Sequence, residues 1–189
     1  MGADDTTTQV KGVAHIETMW SRDTDGSRSL TVMPTYSPWP GLDLLAMENR
    51  PLAQGFKEQT LQAKIQISSA RYQDCWVAWV LGVTVWQKGD GPKSFLAANG
   101  SCDIAIGSLH SSVVSTRDVQ GRDVSSLSVA WENQFGPWTY YLETVSQRIH
   151  KPFVGFGIRR DVVPGLQLEG MWGKQGGQPV ISLGSRYSF

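Results

Sequence analysis

A histidine and a hydroxyl at strand spacing are the most reactive arrangement in this chain. In "SLHSS", Ser108 to Ser112, the side chains of His110 and Ser112 fall on one face of an extended strand, because alternate residues point the same way. An imidazole beside a hydroxyl is the start of a nucleophile and base pair, and near a membrane surface it would suit an enzyme acting on lipid or lipid A. No G-x-S-x-G turn accompanies the pair. His15 and His150 stand apart from any partner motif. His110 and Ser112 are therefore the weak catalytic candidates, and an enzyme is the secondary expectation. Cys75 and Cys102 have no metal-ligand spacing. They read as two small apolar residues, with a disulfide between them as the alternative in an oxidising compartment. Neither a metal nor a cofactor is implied.

The elements that would position these residues are strands. The chain has 189 residues and a formal net charge of zero, which fits one domain and gives no electrostatic reason to expect nucleic acid as a partner. It is rich in Trp and Gly, and the Trp residues sit near the ends of alternating runs, as in interfacial belts. The longest apolar stretch, "CWVAWVLGVTVW", Cys75 to Trp86, is too short for a membrane-spanning helix. Domain bounds are 1–189. Residues 1–7 read as a cloning remnant, Met1 and Gly2, followed by a flexible mature amino terminus from which an export signal has been removed.

Period-two alternation recurs along the chain and helical periodicity is almost absent. The runs are Thr8 to Trp20, Ser29 to Ser37, Leu42 to Arg50, Gln59 to Ser68, Cys75 to Trp86, Lys93 to Ala98, Cys102 to Thr116, Val124 to Phe135, Trp138 to Ile149, Phe153 to Arg160, Leu166 to Gly173 and Val180 to Phe189. Turn chemistry separates them: "DTDGS", "SPWPG", "KGDGP", "NGS", "FGP", "VPG" and "KQGGQP" among others. Twelve runs imply an all-β, antiparallel up-and-down barrel of about 12 strands. Ten strands follow if the short Lys93 to Ala98 run is a loop, and eight would need long loops with few turn signals.

Alternation alone serves a soluble sandwich or a membrane barrel equally. Aromatic strand ends, glycines inside strands (Gly155, Gly157, Gly170, Gly184) and the close of the chain favour the membrane. In the final "PVISLGSRYSF", Ile181, Leu183, Tyr187 and Phe189 alternate with polar residues, while Ser185 breaks the apolar row. With these positions the chain resembles the Gram-negative outer-membrane β-barrel proteins, whose last strand commonly ends in Phe or Trp. That resemblance implies localisation in the outer membrane, contact with its lipids, and an assembly signal at Ile181, Leu183, Tyr187 and Phe189 that is read by the barrel-assembly machinery.

If the polar faces line a lumen, Lys11, His15, Glu17, Asp43, Lys64, Glu132, Glu143, Arg159, Glu169 and Arg186 lie along it. Such charges must pair or stay hydrated. Twelve strands are wider than the eight whose interior is just filled by side chains. The primary expectation is a passive channel for small hydrophilic solutes. The alternatives are the lipid-modifying enzyme, a barrel serving as membrane anchor or assembly partner, and a soluble lipocalin-like binder with an apolar interior.

Overall fold

Each hairpin turn in this chain is placed by residues that cannot continue a strand. In the computed structural model, which describes residues 6–53, 57–72, 74–86, 93–117, 123–147 and 151–189, twelve strands close into one barrel. They are β1 (Ala14–Arg22), β2 (Arg28–Trp39), β3 (Leu42–Pro51), β4 (Glu58–Tyr72), β5 (Cys75–Trp86), β6 (Lys93–Ile104), β7 (Gly107–Arg117), β8 (Asp123–Phe135), β9 (Trp138–Gln147), β10 (Phe153–Val163), β11 (Leu166–Gln175) and β12 (Gln178–Ser188). Every neighbouring pair is antiparallel, and β12 closes on β1 with Arg186 opposite Glu17 and Gly184 opposite Met19. Phe189 and Ala14 exchange both backbone hydrogen bonds just beyond that ladder. Strands of 9 to 15 residues meet the roughly 9 to 11 residues a tilted strand needs to cross a bilayer.

The start of β1 and the end of β12 lie at one rim, called the terminal side below. Turns there are tight: Pro40 and Gly41, Ala105 and Ile106, Gly136 and Pro137, Pro164 and Gly165. Register shifts near this rim, between Tyr36 and Trp39 and between Asp161 and Val163, are the bulges expected where a barrel wall bends. On the opposite side, Gly176 and Gly177 both have positive φ (59° and 89°), the signature of a type I′ hairpin turn. The connections at 118–122 and 148–150, the second of which includes His150, lie outside the described residues.

Two boundaries differ from the sequence reading. "NGS" is strand rather than turn: Asn99 is buried on the inner face and accepts the Ser112 hydroxyl at 2.8 Å, so its side chain is satisfied without a bend. The turn falls instead at Ala105 and Ile106, which makes β6 a full crossing and puts His110 near the terminal side rather than in the outer half of its strand. The first strand also starts later, at Ala14, because the chain turns at Lys11 and Gly12, where Gly12 takes φ 86° and its N–H donates to Ser37 O.

The faces have opposite chemistry. Outward positions include Leu61, Leu81, Leu96, Val113, Leu142 and Leu183, all about half exposed or more. Inward positions bury Thr35, Ser37, Asn99, Ser101, Ser112, Ser128 and Ser182. This is the reverse of a lipocalin-like barrel, whose interior would be apolar. An apolar girdle around the whole wall greatly exceeds the isolated patches a soluble monomer exposes. Tyr36, Trp39, Phe135, Tyr187 and Phe189 cluster outward near the terminal rim, and Trp172 stands toward the other end, as aromatic girdles do.

Cys75 and Cys102 face each other across β5 and β6 on the outer face and are joined by a disulfide. The pairing of β5 with β6 puts them in register at the terminal rim, a relation invisible from their spacing alone. The bond closes a segment with a sequence separation of 27. Replacing both by Ser is expected to lower unfolding free energy by about 3 kcal/mol through loop-closure entropy. Urea titration of detergent-folded protein would check it, and an unchanged midpoint would show that the bond carries no stability.

Candidate functional site

The inner face of the barrel brings together residues from strands far apart in sequence. His15, Glu17, Asp43, Lys64, Glu132, Glu143, Arg159, Glu169 and Arg186 all occupy inward register positions. Lys11 does not: it sits exposed in the turn before β1. Arg159 pairs with Glu132. Arg186 Nε lies 3.4 Å from Glu17, whose other neighbour is His15 Nε2 at 3.3 Å. Lys64 stands opposite Asp43, and Asp43 also accepts the Ser37 hydroxyl at 2.5 Å. The Arg159–Glu132 and Arg186–Glu17 pairs link strands that are one apart and adjacent, so these charges pair along the wall. Among the described residues, strand backbones approach only between neighbouring strands, and no strand crosses the interior.

Aromatic rings follow the same arrangement. Tyr141 on β9 faces Gly157 on β10, where an added Cβ would collide with the ring, and the Tyr141 hydroxyl lies near Glu169 on β11. Phe153 lies over Gly155 and Gly173, and Phe95 over Gly82. Bulky inward side chains therefore lie flat on glycine, as in the aromatic rescue of strand glycines. The alternation predicted glycines for a crowded wall but not which ring each receives. Gly170 and Gly184 have no such ring above them.

His110 and Ser112 share the inward face, yet each is engaged across the ladder with β6. His110 Nδ1 is 2.8 Å from the Ser101 hydroxyl, and Ser112 donates to Asn99. They do not form a nucleophile and base pair with each other. Ser101 is the residue the sequence reading missed, because a strand partner is set by register rather than by spacing along the chain.

The amino-terminal segment enters this interior. Thr6 is buried and its N–H donates to Ser101 Oγ at 3.0 Å. The Thr8 hydroxyl donates to Gln66 Oε1 at 3.0 Å, and the Gln9 N–H donates to the Asp43 carboxylate at 3.2 Å. All three acceptors are inward-facing. Of the end expected to be flexible, residues 1–5 lie outside the described residues; the N–H groups of Thr6 and Gln9 find acceptors in the lumen that water would otherwise supply. It also gives a reason for "CWVAWVLGVTVW" being apolar on both faces. The inward residues Ala78 and Val80, beside Ala97, make a low sector of wall next to the segment's anchor at Ser101.

No family model matches the chain, and no curated protein matches it in sequence. Solved structures match it in fold. The KdgM porin in complex with disordered oligogalacturonate superposes with a TM-score of 0.78 at 10% identity, covering 93% of this chain and 99% of that one. The NanC porin superposes at 0.68 with 8% identity, covering 92% and 98%. The Acinetobacter baumannii outer membrane protein Omp33 gives 0.64 at 8% identity, covering 96% and 100%. At such identities the likeness is one of fold: a closed β-barrel of the outer-membrane type, matched over almost the full length of each chain.

Proposed function

We propose that this protein is a passive channel for small hydrophilic solutes in the outer membrane of a Gram-negative bacterium. The observation that carries the reading is an apolar outer wall around a polar inner wall whose charged groups pair along the wall rather than across it. An interior arranged in this way leaves its axis to water, and paired charges meet the cost of a partly dehydrated setting. The full-length fold likeness to the KdgM and NanC porins supports the same reading. The closing strand, with Leu183, Tyr187 and Phe189 turned outward and half exposed or more, is consistent with an assembly signal at Ile181, Leu183, Tyr187 and Phe189.

The solute class follows from charge. Among the described inward residues within the strands, Glu17, Asp43, Glu58, Asp103, Glu132, Glu143, Asp161 and Glu169 accompany Lys64, Lys93, Arg159 and Arg186. A wall with this balance offers no net attraction to a polyanion such as the oligogalacturonate named for the KdgM complex. Proteoliposomes should therefore swell faster in a neutral disaccharide than in oligogalacturonate at low salt, and the gap should narrow as salt screens the wall. Equal rates at low salt would contradict the charge argument, and no swelling in either would contradict the channel.

A further inference from the structure

We infer that the amino-terminal segment, residues 6–11, is a removable constriction at the terminal-side mouth of the lumen, so that the channel carries its own gate. This rests on the channel reading and adds a moving part to it. The anchors of the segment, Ser101, Gln66 and Asp43, belong to β6, β4 and β3. From Thr6 to Gln9 the backbone spans at most about 10 Å. Three strand spacings along the wall, from β6 to β3, amount to about 14 Å. The segment therefore cannot follow the wall and stands inward of it on side chains, taking cross-section from the lumen.

What holds it is polar and local. Among its described contacts are hydrogen bonds from Thr6, Thr8 and Gln9 to side chains that water can satisfy equally well once the segment leaves. The Val10 side chain is 76% exposed. Downstream the chain is fixed, with Gly12 N–H bonded to Ser37 O, Ser37 N–H to Val13 O and Ala14 paired with Phe189. The segment is thus hinged at Gly12, firmly attached on one side and weakly attached on the other.

The test compares single-channel conductance of the full chain with a variant starting at Val10, and with Gln9→Cys combined with Asp43→Cys. The Val10 variant retains Gly12 and its bond to Ser37 and is expected to show steps about twofold larger or more, as removal of a constriction requires. The double-cysteine protein, oxidised, should hold the smaller step without excursions to the larger one, and reductant should restore them. Reductant added to the wild-type protein controls for the native disulfide. Equal steps from the full chain, the Val10 variant and both redox states would overturn the gate and leave the channel intact. Absence of steps in every form would overturn the channel reading, and the gate with it. If the Val10 variant does not fold, the cysteine pair decides the matter alone, since it changes no chain length.

Discussion

Leu81→Arg is expected to destabilise the folded protein by about 2 to 4 kcal/mol in a lipid bilayer, the cost of an arginine on the lipid face near the midplane. Leu81 lies at the centre of β5, points outward between Ala63 and Leu96, and is 48% exposed. Gln62 on the adjacent strand points inward, opposite Gly82. Gln62→Arg places the same side chain among polar groups and should cost well under half as much. Unfolding titrations of both variants in liposomes of fixed composition would measure the difference. In a soluble barrel the order would reverse, because the outward arginine would sit in water and the inward one in a core. The comparison thus tests which face meets lipid without depending on any transport assay.

Gly157→Val should be the most damaging single change inside the lumen. An added Cβ at Gly157 falls on the Tyr141 ring, so the ring must leave the wall. Overpacking of this kind costs about 1 to 3 kcal/mol. The displaced ring also projects toward the axis, so conductance should fall. Gly170→Val is the matched control, because a Cβ there first meets Leu183 Cδ2 at 3.6 Å, an ordinary contact. If both substitutions behave alike in unfolding and conductance, the glycines are not platforms for inward rings.

Much of the architecture was legible because a barrel strand states its two environments in alternation. Gln62, Lys64 and Gln66 against Leu61, Ala63 and Ile65 already separate the faces of β4. The errors arose where local chemistry has two uses. Asn99 and Gly100 look like a hairpin turn, yet Asn99 is equally suited to a buried inward position with Ser112 as its donor. Lys11 alternates as a strand residue would, but Gly12 at φ 86° turns the chain there. Cross-strand relations were legible least. The disulfide, the Ser101 and His110 contact and the glycines under Tyr141 and Phe153 depend on register, which alternation constrains only in its parity. The lumen entry of Thr6 to Gln9 had no periodic signal, since "TTTQ" is polar in any setting.

The measurement that tests the central claim most directly is planar-bilayer conductance of the refolded protein, after unboiled and boiled samples have been shown to migrate differently on a gel. The barrel predicts discrete, uniform unitary steps with a modest preference for cations, because carboxylates outnumber cations along the described inner wall. A folded, inserted protein that stays electrically silent, both as the full chain and as the variant starting at Val10, would contradict it.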